Sequence, residues 1–104
     1  MASGNLRSAA LAANADTLLY TVPAGKVTTL NINCCNRDAA ASAKVRIAIG
    51  AGANPANADY IEYDTSLLAN GVLERSGFVC GAGEKVWVRA DTANVSVRVY
   101  GFEE

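Results

Sequence analysis

The sequence predicts an all-β domain, an antiparallel β-sandwich of seven or eight strands in an Ig-like or jelly-roll arrangement. Three observations carry that expectation. Several segments alternate large aliphatic with polar residues at a period of two, the pattern of half-buried strands. Clusters of Gly, Pro, Asn and Asp separate these segments roughly every 8–12 residues. No segment shows a sustained apolar repeat of about 3.6 residues, as an amphipathic helix would. A closed barrel is the alternative that the same pattern allows.

The most regular stretch is the last third, Gly81 to Glu104. Val86, Val88 and Ala90 share one parity; Lys85, Trp87 and Arg89 share the other. After Asp91-Thr92-Ala93-Asn94, Val95, Val97 and Val99 alternate with Ser96, Arg98 and Tyr100. This reads as a terminal hairpin with its valine face covered by the upstream strands.

Upstream, residues 1–16 are rich in small side chains, with only Leu6 and Leu11 large and apolar. They are expected to form a strand-like arm that orders against a neighbour, outside a domain spanning 17–104. A short helix is the alternative, since alanine favours one. Strands follow at Thr17–Val22, Val27–Asn36, Ala43–Gly50, Asp59–Thr65 and Val72–Cys80. Thr17–Val22 is the strand expected to offer an edge for addition of a partner strand. In Val27–Asn36, Leu30, Ile32 and Cys34 are expected inward, and Asn31, Asn33 and Cys35 outward.

Turn chemistry supplies the boundaries. Pro23-Ala24-Gly25-Lys26 presets a turn, and Asn70-Gly71 is a strong tight-turn signal. Gly77 marks a bulge or a close backbone approach. Ala51–Ala58, AGANPANA, is an irregular loop and a candidate contact loop. Val22-Pro-Ala-Gly-Lys-Val27 echoes Cys80-Gly-Ala-Gly-Glu-Lys-Val86, which suggests one kind of corner used at opposite ends of the sandwich.

Composition narrows the chemistry. Net charge is −1 with the two signs interspersed, so no basic patch is available to hold a nucleic acid. The start lacks a basic stretch leading into an apolar run, and no apolar run approaches the roughly 20 residues of a membrane-spanning helix. A soluble protein made in a reducing cytoplasm, with no membrane partner, is expected. Three cysteines, Cys34, Cys35 and Cys80, are read as free thiols. With no histidine, no histidine-based catalytic dyad, triad or metal site is possible. Glu62 and Asp64 share a parity and are weighed as a carboxylate pair, against ordinary cross-strand ion pairs with Arg46, Arg75, Arg89 or Arg98. No enzyme activity, metal or cofactor is expected.

The candidate site residues are therefore contact residues. Trp87, Arg89, Arg98 and Tyr100 fall on the outward parity of the terminal stretch, and these residue types dominate protein interfaces. Asn54 and Pro55 in the 51–58 loop complete the candidate interface. Aromatic residues beside polar ones also suit a sugar-binding face.

The runs LYTVPAGKVTTLNINCCNRDAAASAKVRIAIG and ADYIEYDTSLLANGVLERSGFVCGAGEKVWVRADTANVSVRVYGFEE resemble small tailed-bacteriophage virion proteins. The VPAGK corner, the VRIAI and DYIEYD strands, GVLERSG, AGEKVWVRA and the VSVRVYGFEE ending carry the resemblance over residues 17–104. The vicinal Cys34-Cys35 pair departs from it. The resemblance implies a non-enzymatic virion subunit made in the host cytoplasm. It would form a homo-oligomer, a trimer or higher, and dock on the capsid as a decoration protein or on the tail as an accessory. A glycan- or receptor-binding module of a tail fibre is the alternative.

Overall fold

The computed structural model describes residues 3–104 and contains eight strands. They are β1 (Ser3–Ala10), β2 (Thr17–Thr21), β3 (Thr28–Asn36), β4 (Ala43–Gly50), β5 (Tyr60–Leu67), β6 (Val72–Cys80), β7 (Lys85–Ala90) and β8 (Val95–Glu103). One turn of 3₁₀ helix, Asn57–Asp59, precedes β5. Two antiparallel four-stranded sheets result: sheet I in the order β1-β8-β3-β6, and sheet II in the order β2-β7-β4-β5. Strands equally far from the middle of the chain pair with each other, β1 with β8, β2 with β7, β3 with β6 and β4 with β5. That is a long hairpin rolled into two layers, the jelly-roll arrangement rather than the Ig-like one.

The expected hairpin at the carboxyl end does not form. β7 lies in sheet II and β8 in sheet I, so Asp91–Asn94 carries the chain across the sandwich. Val86, Val88 and Ala90 join Val95, Val97 and Val99 in one core cluster, together with Leu30, Ile32, Cys34, Val45 and Ile47. Alternation marks the inward residues correctly. It is the same whether the next strand pairs alongside or faces from the opposite layer.

The amino-terminal segment also differs from expectation. Residues 1 and 2 lie outside the described residues, but Ser3–Ala10 is a strand paired to this chain's own β8, with Leu6 and Ala9 packed on the core. Leu11 is buried, and its backbone N–H donates to the Val95 carbonyl at 2.9 Å. The edge of sheet I takes this segment because β8 has an open ladder there. Composition alone could not reveal that ladder.

Both Ala-Gly corners are sheet-to-sheet crossings, and they sit side by side at the same end. Val22 N–H donates to the Glu84 carbonyl and Gly83 N–H to the Val22 carbonyl, each at 2.9 Å. Gly25 (φ 76°) and Gly83 (φ 84°) occupy the left-handed region, which glycine enters without steric cost. At this end Glu103 is buried, and it accepts hydrogen bonds from the Tyr20 hydroxyl and from Thr28 Oγ1 (2.9 Å). These contacts tie β2 of sheet II to β8 and β3 of sheet I. At the far end buried Asn36 donates from Nδ2 to the carbonyls of Ala41 (2.9 Å) and Leu67 (3.2 Å). It thereby anchors the loops that flank β4 and β5.

Candidate interaction surfaces

The outer faces of the two sheets present different chemistry. Of the expected interface residues, Trp87 and Arg89 belong to sheet II, while Arg98 and Tyr100 belong to sheet I. They are on opposite sides of the molecule and cannot form one patch. The β7–β8 crossing separates them.

Trp87 is only 4% exposed. It pairs with Leu18 on β2 and Ala48 on β4, in the middle of sheet II. Ala48 is buried as well, and neither residue belongs to the core cluster. Parity identifies the outer face, but a residue on a central strand is flanked on both sides and can be covered there by its neighbours. Trp87 is therefore a packing residue of that face and not an accessible anchor.

Around it the face is built from charge and aromatic rings. Arg46 on β4 donates to Asp64 through Nε (2.7 Å) and Nη2 (3.2 Å). Its guanidinium carbon lies 4.1 Å from the centroid of the Tyr63 ring, a cation–π contact. Tyr63 meets Tyr60 edge-on with ring centroids 4.9 Å apart. The Arg46 hydrogen bonds hold the Asp64 carboxyl below its usual range, helped by the charges of Lys44 and Arg89.

Glu62 and Asp64 do not share a face. The β4–β5 ladder shifts register between Val45 and Ile47, with Asp64 at φ 52°. The extra residue of this bulge breaks the two-residue period. Asp64 turns to Arg46 on the outer face of sheet II, while Glu62 accepts from Arg75 Nε on β6 at 2.8 Å and from Thr65 Oγ1 at 2.7 Å. Each carboxylate thus belongs to its own ion pair.

On sheet I, Arg98 is exposed and Tyr100 is half-buried, its hydroxyl donating to Glu74 Oε2 at 2.8 Å. Arg98 borders a shallow depression of about 400 Å³ lined also by Ser8, Ala10, Asn33, Cys35 and Ser96. Cys35 faces this side and Cys34 the core, as the alternation predicts. Burial pushes the Cys34 thiol up to about 12 and the Cys80 thiol to about 11, so neither is a ready nucleophile.

An apolar cluster that the sequence reading missed occupies the corner end of the same face. Val79 (70% exposed) and Phe102 (52%) flank Thr29 in the ladder from either side. Val27 (48%) lies two residues before Thr29, opposite Glu104. The signal was present for Val27 and Phe102, large apolar residues on the outward parity of their strands; Val79 faces outward because the bulge at Gly77 shifts the parity of β6. The loop holding exposed Asn54 and half-buried Pro55 leaves β4 at this end, where the Ala51 carbonyl accepts from Lys85 Nζ at 3.2 Å.

No protein-family model and no curated protein matches the chain. Among solved structures the chain is similar to a pentameric capsid protein isolated from metagenomic phage sequences, at 16% identity and a TM-score of 0.46. The match covers 97% of this chain and 64% of that one, so the chain spans less than two thirds of that protein's length.

Proposed function

We propose that this protein is a non-enzymatic bacteriophage virion subunit that self-associates and docks on the capsid as a decoration protein, or on the tail as an accessory. Two things support the reading besides the uncovered apolar cluster. Residues 17–104 resemble small virion proteins of tailed phages. The eight-stranded jelly roll is a fold that viral capsids use repeatedly, which is support by analogy.

The observation that carries the proposal is the Val27–Val79–Phe102 cluster on the outer face of sheet I. Large apolar side chains left exposed at neighbouring positions on one sheet face, here around Thr29, suit an interaction site. Its occupant in this reading is a second copy of the chain, with Arg98, Tyr100 and the Asn54–Pro55 loop forming the polar rim. Glycan binding through Trp87 is disfavoured, because that ring is covered.

Light scattering at micromolar concentration, followed by co-sedimentation with purified phage particles, tests the proposal. A homo-oligomer that pellets with particles is expected. A strict monomer that stays in the supernatant would overturn it.

A further inference from the structure

The outer face of sheet II sets two like charges side by side. Arg46 and Arg89 stand directly opposite one another in the β4–β7 ladder, and like charges so placed are unfavourable. Lys44 lies two residues away on the same face of β4. Asp64 is taken by Arg46, and Asp91 Oδ1 accepts the backbone N–H of Lys44 at 2.9 Å. Among the described residues, the Arg89 guanidinium and the Lys44 ammonium make no hydrogen bond or ion pair. Arg89 as a residue is half-buried between its neighbours on the sheet face.

These groups converge on a groove of about 180 Å³ lined by Asn14, Lys44, Arg46, Asp64, Arg89 and Asp91. Two of its residues, Asn14 (φ 58°) and Asp64 (φ 52°), hold left-handed backbone conformations. Asn and Asp tolerate that region best among non-glycine residues, and such conformations collect where a site must be shaped.

We propose that this groove binds a carboxylate-bearing sugar, its carboxylate held by Arg89 and Lys44 and its hydroxyls by Asn14, Asp64 and Asp91. The groove holds three cations against two carboxylates, and Arg89 and Lys44 keep hydrogen-bond donors to spare, which suits a further carboxylate; the guanidinium fork matches its two oxygens. The two acidic residues decide the rest. They would repel a multiply charged phosphate, but they accept hydrogen bonds from neutral hydroxyls. An acidic peptide supplies the carboxylate without the row of hydroxyls that this lining can satisfy. Tyr63, 58% exposed and packed on Arg46, adds apolar surface beside the groove. The groove lies on the opposite face from the Val27–Val79–Phe102 cluster and towards the other end, so the inference does not rest on the assembly reading.

The test is titration of the ¹⁵N-labelled full chain with glucuronate, N-acetylneuraminate, glucose and inorganic phosphate, read by amide shifts. Saturable shifts at Asn14, Lys44 and Arg89 are expected with the two acidic sugars and not with glucose. Arg89→Gln should weaken that binding about tenfold, the loss of one charge-assisted contact, while oligomeric state and particle binding stay unchanged. Four outcomes would overturn the proposal: no shift with either acidic sugar, equal shifts with glucose, phosphate binding as tightly as glucuronate, or acidic-sugar binding untouched by Arg89→Gln.

Discussion

Glu62 on β5 and Arg75 on β6 form an ion pair at 2.8 Å between the edge strands of two different sheets. It closes one open side of the sandwich, where no backbone ladder can run. Burial alone would raise the Glu62 carboxyl, but the hydrogen bonds from Thr65 and Arg75, with the Arg75 charge, outweigh it and hold the pKa below its ordinary value. A depressed folded-state pKa means stability that is present above the ordinary value near 4.5 and is lost as pH falls through the lower folded value. Arg75→Ala is expected to cost about 0.5–1 kcal/mol at neutral pH, since the Arg75 side chain is 43% exposed. Urea denaturation at pH 7 and pH 3 checks this: the difference between wild type and variant should shrink at pH 3.

Gly101 lies close against the backbone of β3. A Cβ there would overlap the Thr29 carbonyl oxygen and lie 2.9 Å from Leu30 Cα. Both neighbours are main-chain atoms of the paired strand β3, so they cannot rotate away. Gly101→Ala is expected to destabilise the fold by about 2–4 kcal/mol, the range for overpacking against rigid surroundings. Thermal melting of the variant measures it.

Val97 and Arg98 are adjacent in sequence and opposite in environment. Val97 is buried beside Cys34 in the ladder, whereas Arg98 is exposed. Val97→Asp buries an unpaired carboxylate and is expected to cost more than about 4 kcal/mol. Arg98→Asp should leave the far-ultraviolet spectrum and the melting temperature nearly unchanged while weakening assembly.

Phe102 tests assembly more directly. Phe102→Asp and Val79→Asp place a charge in the exposed apolar cluster without touching the core. Each variant is expected to remain folded and to shift the light-scattering mass towards the monomer. An unchanged oligomer in both would place the contact elsewhere.

Tyr20 offers an alkaline probe of the contact between sheets. Burial, with the hydrogen bond to Glu103, pushes its hydroxyl up to about 12 from the ordinary value of 10.0. A raised folded-state value means a contribution that is complete below pH 10 and lost as pH rises through about 12. Tyr20→Phe should lower stability at neutral pH by about 1–3 kcal/mol, because Glu103 loses a donor while buried. The variant should also show less of the alkaline decline, measured as melting temperature against pH.

Much of this architecture was legible from residue pattern. The strand limits Ala43–Gly50 and Val72–Cys80 match the sequence reading residue for residue. The bulge at Gly77 (φ 80°) and the Asn70-Gly71 turn, with Asn70 at φ 56°, were marked by their turn chemistry. The surfaces were less legible. Trp87 and Arg98 look alike as outward residues on valine-rich strands, yet one is covered and the other open. The β5 bulge separated Glu62 from Asp64, and no glycine or proline announced it.

The sequence by itself determined where most strands run, which side chains of the unbulged strands face inward and where the chain turns, because alternation and turn preferences act over a few residues. Tertiary structure alone decided that β7 and β8 lie in different layers, that Ser3–Ala10 closes the edge of sheet I, and that Arg46 meets Arg89. Those outcomes depend on ladders between segments far apart in the chain. The gain from completing such a ladder is set by the edge left open by other strands, and no local pattern encodes that edge.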